Sequence, residues 1–227
     1  MYWKCRIIVF LENRSFLPQG ANMHVVQRFS SSNLIEFRSM GSAISKLERI
    51  GIFAETTLRF GLANCSRGRW AGHIIVPVRD RQWTLVCYLA LGINGARWGA
   101  PKLFPLVKPT ALPYLYFSEP LRSPVEELLL VQGLQSVWRL WQHGYHRTVA
   151  LLGSSCQPAH AACLRKLLLK SGRVWIVGNG DAEGDKFAGS AMRSLARYVR
   201  CNQVYLPTGK RPDTLDETQL RCLLGSK

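Results

Sequence analysis

Between residues 126 and 224 the chain alternates four short apolar runs with four segments of helical character. The runs are EELLLVQ (126–132), TVALLG (148–153), RVWIVG (173–178) and QVYLP (203–207). Short runs that are apolar nearly throughout are strands buried on both faces. The segments between and after them are SVWRLWQHG (136–144), QPAHAACLRKLLLKSG (157–172), DKFAGSAMRSLARYVR (185–200) and PDTLDETQLRCLL (212–224). Pro158 suits a first helical turn, and Gly172 suits a position just past a helix end. Thr214 and Asp216 are candidate caps of the last helix. Strand and helix alternating through tight loops specify an α/β fold, a parallel sheet with helices on its faces. Ligands of such sheets sit at the carboxyl ends of the strands. Here those ends are Gln132 with Gly133, residues 153–155, residues 178–184 and residues 207–211.

The upstream half has a different texture. SKLERIGIFAETTLRFGLA (45–63) predicts a short helix, a break at Gly51 and a second helix opening near Glu55. GRWAGHIIVPVRDRQWTLVCYLALGI (68–93) places two apolar strands around the polar turn RDRQ, a β-hairpin. The proline-rich stretch 99–114 is a loop or sheet-edge region. The expected organisation is a weakly patterned segment 1–44, a smaller basic α+β subdomain over 45–123, and the parallel-sheet domain over 124–223. Met23 and Met40 are alternative starts.

Charge narrows the function. Lys and Arg number 30 against 14 Asp and Glu, a formal net charge of +16, and the excess is spread over both halves. Such a chain attracts polyanions, nucleic acid first. The seven cysteines include no CxxC pair and no zinc-finger spacing. A reduced, cytoplasmic protein without zinc is expected. The run IIVFL (7–11) is too short to span a bilayer, so no membrane role is expected.

Five segments, in order, resemble the toprim domain and the catalytic core of the bacterial DnaG-type primase. LLLVQGLQSVWRLWQHGYHRTVALLGSS resembles the segment that opens VEGxxD and closes VALxGT. RVWIVGNGDAEGDKFAGSAM resembles the DGDxAG segment, and VYLPTGKRPDTL the LPxGxDPDxL segment. GRWAGHIIVPVRD resembles the GRIxxPIxD hairpin, and APKLF the PKYxN loop. The resemblance implies a toprim-like parallel sheet flanked by helices, Mg²⁺ or Mn²⁺ as cofactor, and single-stranded DNA as partner. It further implies a nucleoid-associated role beside replication proteins such as a helicase. The family's zinc-binding and helicase-binding domains have no counterpart in these residues.

The family's catalytic positions are altered. Gln132 stands at the glutamate, Ser136 at the aspartate four residues on, and Asn179 at the first aspartate of DxD. Only Asp181 keeps its carboxylate, and Arg211 opens the DPD motif ahead of Pro212 and Asp213. Mg²⁺ wants carboxylate oxygen, so two amides in place of two anions weaken a site for it. Asp181, Glu183 and Asp185, at alternating positions, are the remaining candidate metal ligands; Glu183 and Asp185 also suit the first turn of a helix. Gly178, Gly180 and Gly184 are candidates for a phosphate-cradling loop. Residues 153–155 offer either a second such loop or plain capping.

For nucleic acid the candidates are Arg67, Arg69, Arg79, Arg81, Lys102 and Arg211, with Trp70, Trp83 and Trp98 interleaved. Cations that track phosphate and rings that stack on bases suit single strands. The tryptophans equally suit a core. The resemblance places Lys102 along the template path. Three functions stay open: a nucleic-acid-binding module with reduced or lost catalysis in a replication or mobile-element setting, an active primase or toprim nuclease, and a protein-interaction subunit.

Overall fold

A computed structural model describes residues 36–38, 40–67, 70–79, 85–94, 97–98, 102–105, 115–117, 123–151 and 155–225. The upstream elements are β1 (Glu36–Arg38), α1 (Met40–Glu48), α2 (Ala54–Arg59), β2 (Ala63–Arg67), β3 (Ile74–Arg79), β4 (Leu85–Leu91), β5 (Ile93–Asn94), β6 (Arg97–Trp98), β7 (Lys102–Pro105) and β8 (Leu115–Phe117). The downstream elements are β9 (Val125–Val131), α3 (Leu134–Gln142), β10 (Thr148–Leu151), α4 (Pro158–Arg165), β11 (Leu168–Val177), α5 (Ala182–Leu195), β12 (Arg200–Val204), a 3₁₀ turn (Pro212–Thr214) and α6 (Glu217–Leu224).

Among the described residues, two five-stranded sheets and a two-stranded pair of β5 and β6 result. The first runs β1-β2-β3-β4-β7 and is antiparallel throughout. Its centre is the expected hairpin of β3 and β4; the RDRQ turn lies outside the described residues. Gly51 takes φ 80° and separates α1 from α2, a conformation that favours glycine. The second sheet runs β12-β11-β9-β10-β8. Its four downstream strands are parallel, as the alternation of strand and helix requires. β8, from the proline-rich region before residue 124, adds an antiparallel edge against β10.

Period-two alternation divides the second sheet's side chains between two cores. Leu128, Leu130, Val174 and Ile176 face α4 and α5, burying Leu164, Phe187 and Ala191 between them. Val131, Ala150 and Val177 face α3 and α6, with Trp138 and Leu220. This second core continues without a break into Leu47, Ile74, Val76 and Leu91 of the upstream half. Trp138 is fully buried, and its indole N–H donates to the Tyr116 hydroxyl at 2.8 Å.

The largest departure from the sequence reading lies between α4 and β11. Residues 157–172 were expected to form a single helix, yet α4 stops at Arg165 and β11 begins at Leu168. Leu168 pairs with Val125 and Arg173 with Glu127, so β11 spends five residues where β9 spends two. The surplus forms a looped-out bulge, and Gly172 sits where a Cβ would meet the Leu169 and Val125 carbonyls. Strand pairing here overrides the helix propensity of LRKLLLK.

Candidate functional site

The parallel register sets three strand ends side by side. Val131 pairs with Val177, and Val177 with Val204, so Gln132, Gly178 and Tyr205 leave the sheet in neighbouring places. The loops that follow carry the candidate residues.

Gln132 is half-buried, and its side-chain Oε1 is buried without a hydrogen-bond partner among the described residues. Its backbone carbonyl accepts from the Ser136 hydroxyl at 3.0 Å. Gly133 follows at φ 88° and turns the chain into α3. Ser136, at the position of a family aspartate, is thus spent on the first turn of that helix.

The loop 178–181 is tied to the loop after β12. Gly180 N–H donates to the Lys210 carbonyl at 2.7 Å, and Gly209 N–H donates to the Gly180 carbonyl at 2.8 Å. A Cβ on Gly180 would overlap the Pro207 carbonyl, and a Cβ on Gly184 would overlap Asn179 backbone. Gly178 approaches Gly184 in the same manner. The close approach that these three glycines permit is of backbone to backbone, which accounts for them without a ligand.

Two of the three acids have side-chain partners as well. Asp181 caps α5, its Oδ1 accepting from Gly184 N–H at 2.8 Å. Glu183 accepts from Lys186 Nζ at 2.8 Å, and that carboxylate holds the Lys186 ammonium above its usual pKa. Asp185 is exposed on the same first turn. Three acids at a helix N-terminus satisfy its partial positive charge, so a bound anion is not needed there. Arg211 Nη2 bonds Asp213 Oδ2 at 2.8 Å, with the carboxylate side chain only 12% exposed. The Asp213 carbonyl in turn accepts from Arg139 Nε at 3.2 Å.

The Mg²⁺ implied by the resemblance meets an unsuitable donor set. Two amides stand at the ends of β9 and β11, Asp181 serves a backbone N–H, and a guanidinium neutralises Asp213. Hard divalent cations are held by anionic oxygen and repelled by a nearby guanidinium. Among the described residues, no group of three or more His, Cys, Asp or Glu side chains is placed to hold a metal ion.

The basic candidates are distributed otherwise. Arg79 ends β3, half-buried, and its charge lowers the Tyr88 pKa against the larger upward effect of burial. Arg67 ends β2 and Lys102 opens β7, the sheet edge, where it pairs with Ala90. Arg69, Arg81 and Trp83 lie outside the described residues. Trp70 is 7% exposed and meets the His73 ring edge-on at 5.4 Å, a core position. Of the candidates, then, the fold gathers Gln132, residues 178–185 and Arg211 at one end of the parallel sheet. Arg67, Arg79 and Lys102 belong to the antiparallel sheet.

Two residues missed from sequence connect these halves. Arg139 Nη1 donates to the Gly51 carbonyl at 2.8 Å, and Gln142 Nε2 donates to the same oxygen at 3.1 Å. Gln142 Oε1 accepts from Phe53 N–H and Thr56 Oγ1. Their three-residue spacing on α3 was the available signal, since it places both on one helix face. Elsewhere, burial raises the Cys87 and Cys201 thiols to about 11. No helix among the described residues is long and apolar enough to cross a membrane.

Comparison with known proteins agrees with this geometry. Residues 126–205 match the model of the toprim domain. A DNA primase of Pseudomonas putida is 26% identical over 154 residues, covering 65% of this chain and 23% of the relative. A DNA primase of Haemophilus influenzae is 24% identical, covering 92% of this chain and 38% of the relative. The chain therefore spans well under half the length of these curated relatives. Among solved structures, the DnaG primase catalytic domain bound to ssDNA superposes with a TM-score of 0.62 at 20% identity, over 80% of this chain and 70% of that one.

Proposed function

We propose that this chain, whose residues 126–205 match the toprim domain and which is similar to DnaG-type primases, binds single-stranded nucleic acid, DNA foremost, with metal-dependent catalysis reduced or lost. The observation that carries this reading is the set of neutralised acid positions. Gln132 and Asn179 are amides, and Arg211 occupies Asp213. A primase or nuclease acts through electrostatic stabilisation by bound metal, so removing most of the ligand charge removes most of the rate. Binding needs no such metal. A net charge of +16 supplies it, and the solved neighbour that carries ssDNA shares the fold. Lys102, on the edge strand β7, is the leading candidate for a phosphate contact. A replication-type or mobile-element setting, with a helicase among the partners, fits the same reading.

Fluorescence anisotropy with a labelled single-stranded oligonucleotide in EDTA tests it. The expected result is sequence-tolerant binding whose log affinity falls linearly with log salt, by about 0.7 for each phosphate contacted. Absence of binding at low salt would sink the proposal. The competing reading is an active primase or nuclease using Asp181, Glu183 and Asp185, which stand exposed within five residues. Template-dependent nucleotide incorporation that needs Mn²⁺ and is lost in Asp181→Ala would establish that reading instead.

A further inference from the structure

The opposite end of the parallel sheet carries a second accumulation of charge. All the acid of α5 lies in its first turn, at Glu183 and Asp185. At about 1.5 Å per residue the helix then runs roughly 20 Å to its basic end, where Arg193 and Arg197 stand exposed. Cations at a helix C-terminus complement its dipole, so these two are unremarkable by themselves.

The strands add what the dipole does not explain. Lys170, from the bulged start of β11, and Arg200, the first residue of β12, line one shallow, largely open recess with Met192, Tyr198 and Cys201. Tyr198 is 56% exposed. Arg200 stands in register with Arg173 on the neighbouring parallel strand, which adds a third cation to this side of the sheet. Arg173 has Glu127 at 3.3 Å and lies 5.8 Å from the Trp175 ring centroid. Among the described residues, no carboxylate pairs with Lys170, Arg197 or Arg200. Among the described residues β12 is the outer strand of its sheet, so the recess lies at that edge. Charge on an edge discourages strand pairing, but that task needs neither a recess nor an exposed ring.

We propose that this recess is a second contact for single-stranded nucleic acid, with phosphates held by Lys170 and Arg200 and a base stacked on Tyr198. The proposal rests on the reading that the chain binds nucleic acid, and adds a surface far from the altered acid positions. Two cations and a ring around an apolar floor suit a phosphodiester chain with unstacked bases. An anionic membrane would meet the same cations, but interfacial docking needs several apolar side chains projecting past them. Leu169 is the exposed large aliphatic beside the patch among the described residues.

Two variants test it by anisotropy on the same oligonucleotide across a salt series. In Lys170→Gln/Arg200→Gln the slope of log affinity against log salt is expected to shrink by about 1.4, or 0.7 for each lost phosphate contact. In Tyr198→Ala affinity is expected to fall roughly tenfold with the slope unchanged, as loss of one stacked base requires. All three side chains are exposed, so folding is expected to persist. Wild-type binding that neither variant alters would overturn this proposal and leave the proposed function standing. Absence of wild-type binding would overturn both. Unchanged oligonucleotide binding with loss of binding to phosphatidylserine vesicles would assign the recess to a membrane and overturn it too.

Discussion

Restoring the family's glutamate makes the sharpest test of the altered site. Gln132 Oε1 is buried and has no hydrogen-bond partner among the described residues. In Gln132→Glu an ionised oxygen replaces the amide nitrogen in surroundings that already fail to satisfy one acceptor. A buried polar group left unpaired costs about 1–3 kcal/mol, and more when charged. For a chain of this size each kcal/mol moves Tm by about 2–4 °C. A fall in Tm of roughly 2–12 °C at neutral pH is therefore expected. Burial raises the introduced carboxyl's folded pKa above its unfolded value of about 4.3. The penalty is accordingly absent below that pH and grows as pH rises through it toward the folded pKa. Thermal unfolding of wild type and variant, compared pH by pH, reads both effects. In Gln132→Glu/Asn179→Asp, added Mn²⁺ is expected to return part of the lost Tm, because the carboxylates then have a cation to share. An unchanged Tm for Gln132→Glu at neutral pH would refute the reasoning, since the site would then already offer the carboxylate a donor.

Three further outcomes are expected. Asp181→Ala removes the cap on Gly184 N–H and should cost about 1 kcal/mol in urea unfolding, whereas Asp181→Asn should cost only a few tenths; equal stability of all three proteins would deny the capping role. Arg139→Ala deletes the bonds to the Gly51 and Asp213 carbonyls and should cost roughly 1.5–3 kcal/mol, with no rescue by Lys, which lacks the planar fork; recovery in Arg139→Lys would show that charge alone matters there. His160 is buried, its pKa is lowered by that burial, and its Nδ1 accepts from Gln157 N–H at 3.0 Å, so only the neutral ring serves. Its contribution is full above the unfolded pKa of about 6.5 and is lost as pH falls below it; His160→Gln should flatten the stability profile on that acid side, and identical profiles would contradict the assignment.

The parallel sheet was legible because its strands are buried on both faces. Continuous apolar runs such as LLLV and VWIV, bounded by turn residues, suit strands buried on both faces, and the tight alternation with helices fixed their direction. Asp216 was readable as a cap from its position alone, and it does accept from Gln219 N–H at 2.8 Å. The bulge at residues 168–172 was hidden because leucine and lysine favour helix locally, and only pairing with distant Val125 reverses that preference. The start of α5 at Ala182 was missed for a related reason. The cap at Asp181 works through Gly184, and a glycine at that position is not a helix-start signal.

At the candidate site, sequence gave the substitutions but not their partners. That Gln132 and Asn179 replace acids can be read directly. That Arg211 reaches back to Asp213 depends on the 3₁₀ turn between them, and that Gln132 Oε1 is left unpaired depends on packing around α3. The glycines of the 178–184 loop looked suited to a ligand. Only the fold reveals that Pro207 and Asn179 backbone already fills the space beside Gly180 and Gly184.

Calorimetric titration of the folded protein with Mn²⁺, alongside Asp181→Ala, bears most directly on the claim that the acid positions no longer build a metal site. No saturable heat from either protein is the expected result. Saturable binding by wild type that disappears in Asp181→Ala would contradict the claim, and Asp181, Glu183 and Asp185 would become ligands of a working centre.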